Sequence, residues 1–134
     1  DRNLGDMANR LRREEGMDAI AQRTLPLLAG LDADRVVVDG IRGDAEGETF
    51  RRHCADFTLV GICCGFEIRA QRLSRRGRSD DPRHHAELRE RDRRELAWGL
   101  GRALAEADYT VCNEGTVAEF EESVIRLLSN LQGA

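Results

Sequence analysis

The chain has 134 residues, one domain's worth, and 40% of them are apolar, which suffices for a single core. Its 21 basic and 25 acidic residues leave a net charge of -4, which excludes a nucleic-acid coat or a membrane-surface protein held by bulk charge. No apolar run approaches the about 20 residues of a bilayer span, and the start DRNLGDMANR is not a basic-then-apolar leader, so a soluble cytoplasmic protein is expected.

Leu4, Met7 and Leu11 keep helical spacing through Glu15, where Gly16 ends the segment. Met17, Ile20, Ala21, Thr24, Leu25 and Leu28 begin a second amphipathic helix, which Pro26 is expected to kink. Because the chain opens inside a helix pattern and without methionine, it reads as a piece of a longer chain.

Arg35 to Asp39 and Phe57 to Cys63 are continuous apolar runs, a pattern that predicts strands covered on both faces of a parallel sheet. Between them lies a short helix from Asp44 to His53 with Phe50 facing inward. A stronger helix follows from Phe66 to Arg76, and RRGRSDDP reads as a loop. From Arg83 to Ala107 one long charged helix is predicted, with Leu88, Leu96, Leu100 and Leu104 as its apolar positions. A third strand covers Tyr109 to Cys112, and a final helix carries the stripe Val117, Phe120, Val124, Leu127, Leu128 and Leu131. Thr116 and Glu119 supply its capping box. This order predicts a single α/β domain on a narrow parallel sheet, with one or two further strands expected before residue 1.

In open α/β sheets ligands bind beyond the carboxyl ends of the strands. There Asp39 can hold a hydrated Mg²⁺ or a catalytic water, Gly40 permits a sharp turn with room for a phosphate, and Arg42 can face that phosphate. The alternative is a strand-ending Asp-Gly turn with a surface arginine. Arg69, Arg72, Arg75, Arg76 and Arg78 form a second cluster that ends in Gly77, Asp80 and Asp81; Arg69, Arg72 and Arg76 share one helical face. Either a polyanion lies between them or they are a solvated arginine-rich helix. Arg91, Asp92 and Arg94 flank the same loop from the other side, so the loop could close as a lid over a triphosphate. Asn113, Gly115 and Thr116 could meet a planar base, or be an ordinary turn plus cap.

His53, His84, His85 and the cysteines Cys54, Cys63, Cys64 and Cys112 lack metal-ligand spacing, and the cysteines read as reduced thiols. No lysine occurs, so neither a Schiff-base nor a phosphate-loop lysine is available.

The segments ANRLRREEGMDAIAQRT, VVVDGIRG, LSRRGRSDDP, RDRRELAWGL and ADYTVCNEGT together resemble an archaeal family of P-loop proteins of adenylate kinase-like or dephospho-coenzyme A kinase-like type. The resemblance runs over nearly the whole chain. It implies a P-loop nucleotide-kinase fold with a parallel core sheet and helices on both faces, using ATP and Mg²⁺ with a small phosphorylatable acceptor. Residues 1–30 would bind the acceptor, with Arg12 at a family-matching position; 35–73 would be core, 74–90 the lid, and 91–134 core and final helix. Arg72, Arg76, Arg91 and Arg94 would act on the transferred phosphoryl group, Arg12, Gly40 and Arg42 on the acceptor, and Asp39 on Mg²⁺ through water. Arg69, Gly77, Arg78, Asp80 and Asp81 would belong to the lid, and Asn113, Gly115 and Thr116 to the adenine side.

Two departures stand out. The family begins with a strand and a lysine-bearing glycine-rich phosphate loop, which these residues lack, so roughly 40 further N-terminal residues are expected from the length of one βαβ unit. Adenylate kinases carry D-G-x-P-R, whereas this chain has D-G-I-R. The expectation is the C-terminal portion of an ATP-dependent small-molecule kinase, inactive without that loop and prone to association through bare apolar edges. The alternative is a non-catalytic nucleotide-dependent switch or an RNA- or assembly-binding protein on the same fold; nucleic acid is the less favoured partner.

Overall fold

The computed structural model describes residues 2–77 and 84–132, and places in them seven helices and two strands. Helix α1 (Arg2–Glu15) stops where Gly16 takes a positive φ of 108°, a conformation that costs glycine least. Helix α2 (Ala19–Ala29) runs through Pro26 and ends three residues later. Its small buried residues Ala19 and Ala21 let it approach α3 (Asp44–His53) closely, and Asp18 just before it accepts hydrogen bonds from the Thr49 hydroxyl (2.7 Å) and the Gln22 amide (2.9 Å). These two bonds hold the Asp18 carboxyl below its ordinary pKa. Phe50 is buried as expected and stacks on Phe57 with ring centroids 5.9 Å apart.

Strands β1 (Val60–Cys63) and β2 (Tyr109–Cys112) pair in parallel, Val60 opposite Tyr109 and Cys63 opposite Cys112. Asp108 closes the start of the pair: its carboxylate accepts from the Leu59 N–H (2.8 Å), its own N–H donates to the Leu59 carbonyl (2.8 Å), and Arg51 adds an ion pair at 3.0 Å. The Asp108 pKa is held down first by the Leu59 N–H and next by Arg51.

The sheet departs from expectation in three ways. Residues 35–39 form no strand, because β1 pairs with β2 alone and nothing among the described residues completes a ladder for the valine run; Val37 is 89% exposed. The strand expected over 57–63 shortens to β1. Nor is the sheet covered on both faces, since Ile62 is 55% exposed. The architecture is a mixed α/β fold on a two-stranded parallel sheet.

Helix α4 (Phe66–Arg76) ends at Gly77, whose φ of 62° is the left-handed cap conformation. The single long helix expected over 83–107 is two: α5 (His85–Ala97) and α6 (Leu100–Ala105), separated where Gly99 takes a φ of 96°. Within α5 itself Leu88 is buried whereas Leu96 is 58% exposed, so the apolar positions do not form one covered stripe. Helix α7 (Val117–Gln132) begins with the expected capping box: Glu119 accepts from the Thr116 N–H (2.7 Å), and the Glu119 N–H donates to the Thr116 hydroxyl (3.2 Å). Its apolar stripe is covered only in part, with Val117 and Leu128 exposed. Among the described residues, no helix is long and apolar enough to cross a membrane.

Candidate functional site

The first turn of α3 organises the best-defined polar site. Gly40, with a φ of 94°, turns the chain after the valine run. Glu46, in that first turn, then reaches back so that one carboxylate oxygen accepts from the Arg42 backbone N–H (2.7 Å) and the other from the Arg12 guanidinium on α1 (2.6 Å). Carboxylates are favoured there by the exposed N–H groups of a helix start. Arg12 is only 5% exposed and lies over the Trp98 ring, 4.1 Å from its centroid, while the Trp98 N–H donates to the Asn9 side chain (2.8 Å).

Arg94 approaches the same ring at 5.6 Å. Glu95 links two further arginines, standing 3.7 Å from Arg42 and 3.1 Å from Arg91. Three guanidinium groups, those of Arg12, Arg42 and Arg91, thus share two carboxylates, and Arg94 joins them through the Trp98 ring. Arg12 keeps two buried nitrogens, Nε and Nη1, without a hydrogen-bond partner, and Arg94 keeps its Nε. Buried donors of this kind are costly unless something accepts from them. The arrangement can take an anion, and a phosphate oxygen has the charge and lone pairs it lacks.

Two glycines make the junction fit. A Cβ on Gly43 would collide with the Trp98 carbonyl, and one on Gly99 would collide with the Asp44 carboxylate. Only a chain without side chains at both positions lets the break between α5 and α6 sit against the start of α3.

A second group gathers beyond the carboxyl ends of the strands. Arg72 donates to the Asn113 carbonyl (2.6 Å), the Asn113 side chain (3.0 Å) and the Gly115 carbonyl (2.6 Å), so it fastens the loop after β2 to α4. Arg69 makes two bonds of 2.7 Å to Asp92. Thr116 serves as helix cap, and Gly115 leaves space for the Glu119 carboxylate, with which a Cβ would clash. In this loop the residues form the expected turn and cap.

Of the remaining expected positions, Asp39 is exposed and has no hydrogen bond or ion pair among the described residues. Arg76 lies in the last turn of α4, and Gly77 is its cap. Arg78, Asp80 and Asp81, the tip of the expected lid, lie outside the described residues. Among the described residues no group of three or more metal-ligating side chains occurs.

The structure therefore joins Arg12, Arg42, Arg91 and Arg94 in one place and leaves Arg72 in another, with Arg69, bonded to Asp92 and in the field of Glu95, between them. Sequence reasoning missed Glu46, Glu95, Asn9 and Trp98, although two signals were present: each acid follows its arginine by four residues, and Trp98 is the only tryptophan.

Comparison with known proteins gives relatives along nearly the whole chain. It is 52% identical over 133 residues to a UPF0200 protein of Methanoculleus marisnigri, a match covering 99% of this chain and 73% of that protein. It is 48% identical over 134 residues to a UPF0200/UPF0201 protein of Archaeoglobus fulgidus, of which the match covers 42%. A UPF0200 protein of Hyperthermus butylicus is 40% identical over 131 residues, covering 98% of this chain and 70% of that protein. No protein-family model matches the chain.

Proposed function

The chain belongs to the UPF0200 family of archaeal proteins, and from that premise we propose that it is the acceptor-binding portion of an ATP-dependent small-molecule kinase on a P-loop nucleotide-kinase-like scaffold. The carrying observation is the convergence of Arg12, Arg42, Arg91 and Arg94 around Glu46, Glu95 and Trp98, with the Arg12 Nε and Nη1 buried and unpartnered. The parallel register of β1 and β2 and the glycine turn after the valine run support the scaffold.

In this reading the acceptor's phosphate seats on Arg12 and Arg42. Glu46 and Glu95 keep the guanidinium forks oriented before it arrives, so that little ordering is left for the binding step. Arg91 and Arg94 place positive charge where phosphoryl transfer develops negative charge.

Magnesium fits Asp39, an exposed carboxylate without a competing partner among the described residues, because that ion keeps most of its water and takes one or two carboxylates. The β- and γ-phosphates of ATP do not fit these 134 residues, which offer neither a glycine-rich phosphate loop nor a lysine.

The test uses the full-length protein with ATP and Mg²⁺ and a panel of nucleoside monophosphates and dephospho-coenzyme A, following ADP release. Acceptor-stimulated ADP release, with Arg42→Ala raising the acceptor KM more than it lowers kcat, is the expected result. ATP binding without acceptor-dependent turnover would overturn the kinase reading in favour of a nucleotide-dependent switch.

A further inference from the structure

The carboxyl end of the sheet holds a pair of thiols that the acceptor site does not use. Cys63 is the last residue of β1 and Cys112 the last of β2, and the two stand opposite one another in the parallel register. Register partners in a sheet project to the same face, so both thiols share the face of Gly61 and Thr110. At Gly61 that face is closed: a Cβ there would lie 3.2 Å from Leu104 and 3.3 Å from Ala107. Two residues further on the cover stops, and Cys63 and Cys112 are both free and exposed.

The spacing decides which chemistry this pair suits. Neighbouring strands lie about 4.8 Å apart, and side chains in register leave them nearly parallel. A disulfide would have to draw the two Cβ atoms to about 3.8 Å, whereas an ion bridges the two sulfurs with the side chains left parallel. Two metal–thiolate bonds of roughly 2.3 Å, the zinc value, set end to end put the sulfurs about 4.6 Å apart, a separation within reach of side chains that leave neighbouring strands side by side. Zinc would need further protein ligands, and among the described residues no third His, Cys, Asp or Glu joins the pair. Cys64, next in the chain, projects to the opposite side, where its sulfur meets Arg72 at 3.9 Å.

We infer that Cys63 and Cys112 form a two-coordinate site for a soft, thiophilic monovalent cation of the Cu(I) type, at the carboxyl edge of the sheet. Thiolate ligands select such ions over hard ones. Binding forms two S–Cu bonds and releases one proton from each thiol, leaving a bis-thiolate complex of net charge -1. Because the two cysteines immediately precede the Cys64–Gly65 and Asn113–Gly115 turns, an ion there would lock the ends of both strands together.

The experiment titrates Cu(I) into the reduced full-length protein against a chromogenic Cu(I) chelator, with the thiolate-to-copper ultraviolet band as a second readout. One-to-one uptake is expected in the wild type, with loss of that uptake in Cys63→Ser and in Cys112→Ser and retention in Cys54→Ser and Cys64→Ser. Unchanged thermal unfolding of the serine variants without copper separates loss of ligand from loss of fold; should one of them unfold, metal protection of Cys63 and Cys112 from alkylation in the wild type reads the same site. Absence of uptake in the wild type, survival of uptake in either Cys63→Ser or Cys112→Ser, or equal loss in Cys64→Ser would overturn the assignment.

Discussion

Arg12 and Arg72 are both held at short range, by different kinds of acceptor and in different surroundings. Arg12 is buried between α1, α3 and the break after α5, bonded to one carboxylate oxygen and stacked on Trp98, with two nitrogens left over. Arg72 lies at the edge of the sheet and spends its donors on the carbonyls of Asn113 and Gly115 and the Asn113 side chain. An arginine whose bonds run to the neutral acceptors of one loop is a fastening. One held by carboxylates, with buried donors to spare, is poised to accept another anion.

The comparison can be broken by mutation, most strongly on the buried side. Glu46→Ala strands the Arg12 charge, and is expected to cost about 3–5 kcal/mol in urea unfolding. Replacing both partners, Arg12→Met with Glu46→Leu, should recover most of that loss while abolishing the anion site. If Glu46→Ala costs no more than an exposed substitution such as Ile62→Ala, the pair is not buried as described.

Gly43→Ala forces a backbone clash with Trp98 and should cost about 1–3 kcal/mol by the same measurement. On the sheet side, Arg72→Ala should cost about 1–2 kcal/mol, since the freed carbonyls can turn to water. It should also speed amide exchange at residues 113–116 while leaving Arg12 and Trp98 undisturbed. Thr116→Ala removes the cap of α7 and should lose about 1 kcal/mol, seen in its thermal midpoint.

The smallest effect is on pH. The Asp108 carboxyl has its pKa depressed in the folded chain, first by the Leu59 N–H and then by Arg51. Its contribution is therefore complete above the unfolded carboxyl value of about 3.9 and is lost as pH falls through the lower folded value. Asp108→Asn should flatten the acid limb of the stability curve in that window. An acid limb identical to the wild type would remove Asp108 as a clamp.

Local signals were legible in the sequence and long-range pairing was not. Helices α3 and α4 and strand β2 have the limits their patterns predict, and the box of Thr116 and Glu119 forms as read, because caps and periodicity are properties of a few neighbouring residues. The valine run at 36–38 reads equally well as a strand, but a strand exists only with a partner, which the run itself does not specify. Gly99 shows the same limit: a glycine inside a helical pattern is ordinary, and only its approach to Asp44 explains why the helix breaks there.

The site was legible in its residue types and not in its grouping. Arg12, Arg42, Arg91 and Arg94 are all candidates by residue type, and so are the arginines on one face of α4. Two of those on α4 are committed, Arg69 to Asp92 and Arg72 to the loop after β2. What unites the other four is Glu46, Glu95 and Trp98, and their convergence depends on packing between α1, α3 and α5.

The most direct test follows the arginine Nε–H resonances of the full-length protein during titration with inorganic phosphate. The account predicts that Arg12, Arg42 and Arg91 shift together along one saturating curve while Arg72 stays still. A shift of Arg72 with no movement at Arg12 and Arg42 would place the anion at the sheet edge and contradict it.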